Sequence, residues 1–99
     1  MSFVTERDVE RAFVRGADRA GARAVKLACP STAGLPDRIA FMPDGSIRFV
    51  ELKAPGKRPR PLQIRQFERL AERGHPVEII DSLESAQAFW EDLRGGDES

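Results

Sequence analysis

The stretch that decides the reading is Gly34-Leu35-Pro36-Asp37-Arg38-Ile39-Ala40-Phe41-Met42-Pro43-Asp44-Gly45-Ser46-Ile47-Arg48-Phe49-Val50-Glu51-Leu52-Lys53. Proline suits the first central position of a type I turn, and glycine suits the left-handed position that follows. Residues 43–45 therefore read as a three-residue hairpin loop. With that loop Met42 faces Ser46, and counting outward sets Asp37 opposite Glu51. Facing residues of an antiparallel ladder have Cα atoms about 4.5–5.5 Å apart. Side chains alternate along a strand, so Glu51 and Lys53 share a face. Phe49, Val50 and Leu52 around them are apolar. Charges thus stand where a core-facing or cleft-facing strand normally carries Val or Ile. Buried charges are costly unless paired or metal-bound, and two close carboxylates repel. The pattern asks for a cation between Asp37 and Glu51, and hard oxygen donors at that spacing suit Mg2+ or Mn2+.

Composition bounds what surrounds this hairpin. Ninety-nine residues, 40% of them hydrophobic, make one domain with one small core. Sixteen basic residues balance sixteen acidic ones, so a nucleic-acid partner would have to be met by a local patch. A single cysteine, Cys29, excludes an internal disulfide framework and a multi-Cys zinc site. The apolar runs are too short to span a membrane, and the N-terminus lacks the apolar stretch of a signal peptide. A soluble, cytoplasmic protein is the expectation.

The chain reads as α/β, in the order helix, strand, strand, strand, helix, strand, helix. Thr5 is an N-cap with Asp8 three residues on, and Val9, Ala12, Phe13, Ala17 and Ala20 recur at helical spacing before Gly21. The other face of this helix carries Arg7, Asp8, Arg11, Arg15, Asp18 and Arg19. Strands are expected over 24–28, 37–42 and 47–54. A helix from Pro61 to Arg73 should bury Ile64, Phe67, Leu70 and Ala71, with Gln63 on the side of Phe67 and Leu70 and Gln66 nearer the polar edge. A strand over 77–80 and a helix capped by Ser82, with Leu83, Ala86, Phe89, Trp90 and Leu93 apolar, complete a domain over 1–94. Residues 95–99 read as a flexible tail.

The run Gly34-Leu35-Pro36-Asp37-Arg38-Ile39, then Phe49 to Gly56, then Pro61-Leu62-Gln63, resembles the stand-alone VRR-NUC nucleases of phages and bacteria. These belong to the PD-(D/E)xK superfamily, with the restriction-endonuclease-like fold of a small mixed sheet flanked by helices. The resemblance implies metal-dependent hydrolysis of DNA phosphodiesters, with Mg2+ or Mn2+ held by Asp37, Glu51 and the Leu52 carbonyl. Lys53 would orient or activate the attacking water. Gln63 matches the family's glutamine on the helix after the ExK strand and would hold water or phosphate. The family's acidic residue on the first helix is Glu6 or Glu10 here. The helix dipole already explains a carboxylate at Glu6, so Glu10 is preferred. The resemblance further implies a Holliday-junction-like or other branched DNA substrate and a homodimer. Two-fold symmetry also suits a small chain that must cut two strands.

For DNA contact the best candidate is the proline-stiffened loop bearing Lys57, Arg58 and Arg60, directly after the catalytic strand. Lys26 on the first strand, Ser31 and Thr32 in the loop, and Gly34, which would let a phosphate approach closely, are further candidates. The arginines of the first helix read as a solvated face, with backbone contact as the alternative. Each residue also has an ordinary explanation: Asp37 as a turn residue, Glu51 and Lys53 as a solvated strand face, Gln63 as a surface residue, His75 as a loop histidine. Their joint occurrence with the hairpin outweighs those readings. Two competing functions stand beside the nuclease: a non-catalytic DNA-binding module that keeps the fold, and a small interaction protein with chance motifs.

Overall fold

The 43–45 loop forms as the turn chemistry requires. Gly45 is left-handed at φ +91° and donates its N–H to Met42 O at 3.0 Å, and Met42 N donates to Ser46 O at 2.9 Å. Asp44 accepts from both the backbone and the hydroxyl of Ser46. The structure, a computed structural model, describes residues 3–96. Its elements are α1 (Glu6–Ala20), β1 (Arg23–Lys26), β2 (Arg38–Phe41), β3 (Ile47–Leu52), α2 (Pro61–Glu72), β4 (Val77–Ile80) and α3 (Leu83–Gly96). The four strands form one mixed sheet in the order β1-β2-β3-β4. β1–β2 and β2–β3 are antiparallel, and β3–β4 is parallel, bridged by α2. The α/β architecture and the element order expected from the sequence are both present.

Alternation along the strands gives the sheet two different faces. Ala40, Val50, Leu52 and Ile80 turn to one side, where they bury against Val9, Phe13 and Ala17 of α1 and Ala86, Phe89 and Trp90 of α3. Phe13, Phe89 and Trp90 stack edge-on or tilted, with ring centroids 4.7–5.3 Å apart. Trp90 Nε1 donates to Phe13 O at 2.9 Å, so the buried indole leaves no unpaired donor. Thr5 and Asp8 close the capping box that starts α1, and Gly21 ends it at φ +75°. Glu51 and Lys53 turn to the other side, toward α2.

Three details differ from the sequence expectation. The strands are shorter: β1 is 23–26 rather than 24–28, β2 starts at Arg38 rather than Asp37, and β3 ends at Leu52 rather than Ala54. The reason at Asp37 is that its backbone N–H bonds to a side chain, Glu51 Oε1, instead of continuing the ladder. In α2 the inward stripe is Gln63, Gln66, Phe67 and Leu70, whereas Ile64 and Ala71 are exposed. The polar anchoring of Gln63 sets the rotation of that helix. α3 continues to Gly96, past the expected boundary at 94, and 97–99 lie outside the described residues.

Gly16 lies under the Trp90 indole. A Cβ there would overlap Cδ1 and sit 2.7 Å from Nε1. Gly→Ala in a helix ordinarily stabilises by about 0.5–1 kcal/mol, but overpacking a core costs about 1–3 kcal/mol. Gly16→Ala is therefore expected to lose about 1–2 kcal/mol, read by urea denaturation with fluorescence of the single tryptophan. A stabilised variant would show that α1 and α3 do not pack this closely.

Candidate active site

The hairpin places Asp37 and Glu51 in crossed contact. Asp37 N donates to Glu51 Oε1 at 3.1 Å, and Leu52 N donates to Asp37 Oδ2 at 3.1 Å. Each carboxylate thereby takes a backbone N–H from the opposite strand. Register explains this: Arg38 pairs with Val50, so the next position outward is Asp37 against Glu51. Pro36 is fully buried just before the pair and holds the chain where the strand begins.

Glu51 is 1% exposed. Its Oε2 accepts from Gln63 Nε2 at 2.8 Å and faces Lys53 Nζ at 3.1 Å. Burial first, and the charge of Asp37 second, push its carboxyl above the ordinary glutamate range, while Lys53 and Gln63 act in the opposite direction. Gln63 is buried although it sits in the first turn of α2, because its Oε1 accepts from Arg60 N at 2.9 Å and from Lys53 Nζ at 3.2 Å. Both ends of the amide are used: the oxygen caps α2 and receives Lys53, and the nitrogen holds Glu51. Asp37, Glu51, Lys53 and Gln63 thus form one connected group at the mouth of the hairpin.

The remaining candidates are placed differently. Glu10 is not drawn to the carboxylate pair. Its Oε2 accepts from Arg38 Nη2 at 2.8 Å, and that guanidinium, foremost by its hydrogen bond, holds the Glu10 carboxyl below its ordinary range. Glu6 is exposed in the first turn of α1. Among the described residues no three His, Cys, Asp or Glu side chains gather as a metal site. Gly34 is left-handed at φ +86°, and a Cβ there would meet Leu62 O at 3.2 Å and Gln66 Cγ at 3.1 Å. The close approach this glycine permits is therefore to the first turn of α2. Ser31 is exposed, with its hydroxyl 3.5 Å from Cys29 Sγ. Lys26, Lys57, Arg58 and Arg60 are exposed. Arg38 escaped the sequence reading. It is 9% exposed and bonds Ala24 O as well as Glu10, tying β1 and α1 to the residue beside Asp37. Its position in step with Ala40 and Met42 was the available signal.

The donor set fits a hard divalent cation. Two carboxylates meet here, Glu51 in a desolvated place that disfavours its charge, and Asp37 Oδ1 carries no hydrogen bond among the described residues. Residues 4–84 match the model of the VRR-NUC domain family. The chain is 40% identical over 82 residues to "Putative nuclease p44" of Acyrthosiphon pisum secondary endosymbiont phage 1, covering 83% of this chain and 88% of that one. A solved structure described as a VRR_NUC domain superposes with a TM-score of 0.79 at 30% identity, covering 87% of this chain and 94% of that one.

A carboxyl with a raised folded-state pKa favours folding below the ordinary glutamate pKa, and that contribution is lost as pH rises through the raised value. In EDTA, wild-type protein should therefore lose thermal stability relative to Glu51→Gln as pH climbs from 4 toward neutrality. Melting curves of both proteins across that range decide it. A wild type that gains on the variant with rising pH would contradict the burial cost assigned to Glu51.

Proposed function

The chain belongs to the VRR-NUC domain family of nucleases, and on that premise we propose that it is a metal-dependent endonuclease hydrolysing DNA phosphodiester bonds, with branched DNA as its preferred substrate. The observation that carries the reading is the connected group of Asp37, Glu51, Lys53 and Gln63 across a hairpin whose register sets the carboxylates face to face. Asp37, Glu51 and the Leu52 carbonyl would hold Mg2+ or Mn2+. When bound, such an ion supplies Lewis-acid charge to the phosphoryl oxygens and acidifies water.

The chain's own residues do the rest. Lys53 holds a fixed positive charge beside the carboxylates, where charge develops on the phosphoryl group. It cannot ligate a cation while protonated, so its part is electrostatic and orienting. Gln63 fixes the Glu51 rotamer through Oε2 and the Lys53 ammonium through its own Oε1, which keeps both groups aimed without reorganisation. Lys57, Arg58 and Arg60 follow the catalytic strand in a stiff exposed loop and would neutralise backbone phosphates. No helix among the described residues is long and apolar enough to cross a membrane. Small size and a single site per chain favour a homodimer for cutting both strands.

The test is cleavage of a labelled four-way junction and a linear duplex with Mg2+, with Mn2+ and with EDTA. Metal-dependent cutting is expected, faster on the junction. Binding without cutting in any metal would instead mark a non-catalytic module. Asp37→Ala and Glu51→Ala should each abolish cleavage and weaken Mn2+ binding in calorimetry while the protein stays folded. Lys53→Ala should lose on the order of 10²-fold in single-turnover rate yet still bind Mn2+. Replacing Lys57, Arg58 and Arg60 together by Ala should flatten the slope of log affinity against log salt by up to about 3 units. An unchanged slope would remove that loop from the interface.

A further inference from the structure

A groove of about 550 Å³ runs between α1 and α3 on the side of the sheet away from α2. Its floor is Ala12, Gly16, Ala20 and Trp90, and one wall is a line of arginines, Arg11, Arg15 and Arg19. Each four-residue step along a helix rises about 6 Å, the same order as the separation of neighbouring phosphates on one DNA strand. All three arginines are exposed, and among the described residues none has a carboxylate within 4.0 Å. The acids that share the groove are already engaged. Asp8 accepts from Thr5 N at the start of α1, though its charge also faces Arg11, and Glu91 accepts from Gln87 Nε2. Three arginines against the two acids of this lining leave a net positive wall in a chain of zero net charge.

The near end of this row is tied to the candidate active site. Arg11 follows Glu10, which Arg38 holds at 2.8 Å, and Arg38 adjoins Asp37. Arg7 and Lys26 lie close enough to Glu10 to lower its pKa by their charge. Cations thus extend from the catalytic hairpin past Glu10 and along α1. The geometry points to a second DNA-backbone surface: phosphates of a strand leaving the active site lie along Arg11, Arg15 and Arg19. It lies across the sheet from the Lys57–Arg60 loop, because Glu51 and Lys53 face α2 while Val50 and Leu52 face α1 and α3. DNA engaged on both sides must bend around the hairpin or diverge into separate arms. This inference rests on the DNA-nuclease reading and deepens it.

The experiment compares wild type with two triple variants, Arg11→Gln/Arg15→Gln/Arg19→Gln and Arg11→Lys/Arg15→Lys/Arg19→Lys. Affinity for a four-way junction is measured across salt concentrations in Ca2+, with thermal melts confirming the fold. The glutamine variant should lose up to about 2.7 units of salt slope, and the lysine variant should keep the wild-type slope. A glutamine variant with the wild-type slope overturns the inference. So does one that keeps the slope but changes apparent mass in sedimentation, which would make the groove a protein interface. A wild-type protein that binds no DNA at all overturns the nuclease reading along with it.

Discussion

Everything in the site depends on a buried carboxylate. Glu51 sits on a central strand at 1% exposure, where an apolar side chain would normally complete the sheet. Its retention is possible because each of its oxygens has a donor: the Asp37 backbone on one side, Gln63 and Lys53 on the other. These donors come from three separate segments, so Glu51 dictates where β2 must end, how α2 must be rotated and which way Lys53 must reach. The arrangement still leaves the carboxyl disfavoured as an anion, mostly by burial and then by Asp37. A fold that tolerates this has its stability supplied elsewhere, on the other face of the sheet.

That other face is apolar and aromatic. Phe13, Phe89 and Trp90 interlock over Val50 and Leu52, and Arg48 lays its guanidinium 4.6 Å from the Phe89 centroid while pairing with Glu78. Strand alternation is what lets one strand serve both purposes. Val50 and Leu52 anchor the core, while Glu51 and Lys53, one residue away, build the candidate site. A one-residue slip of β3 would exchange the two sets, so register is strongly specified.

Much of this was legible in the residues because the deciding signals were local. Pro43-Asp44-Gly45 specified loop length, and loop length specified the opposition of Asp37 and Glu51. Thr5, Asp8 and Gly21 marked the ends of α1 by capping chemistry. What resisted reading was set by contacts distant in sequence. The apolar stripe of α2 looked complete with Ile64 and Ala71, but the pull of Glu51 on Gln63 rotates the helix away from them. Glu10 looked like an unexplained carboxylate in an apolar neighbourhood. Its partner Arg38 is 28 positions away and meets it only once β2 packs beside α1. Strand ends were overestimated for the same reason, since a side-chain acceptor replaced a backbone one at Asp37.

The bond from Trp90 to Phe13 joins residues 77 positions apart and closes the core with the first and last helices. The candidate catalytic group lies wholly between them, and the stretch matching the family model stops at residue 84, short of Ala86, Phe89 and Trp90. On the ribosome, then, Asp37, Glu51, Lys53 and Gln63 emerge well before the helix that buries the underside of their sheet. A nascent chain ending near Leu83 contains all four of these side chains but lacks Ala86, Phe89 and Trp90 of the core, and domains gain stability as units. Packing of the underside of this sheet therefore waits on the synthesis of α3.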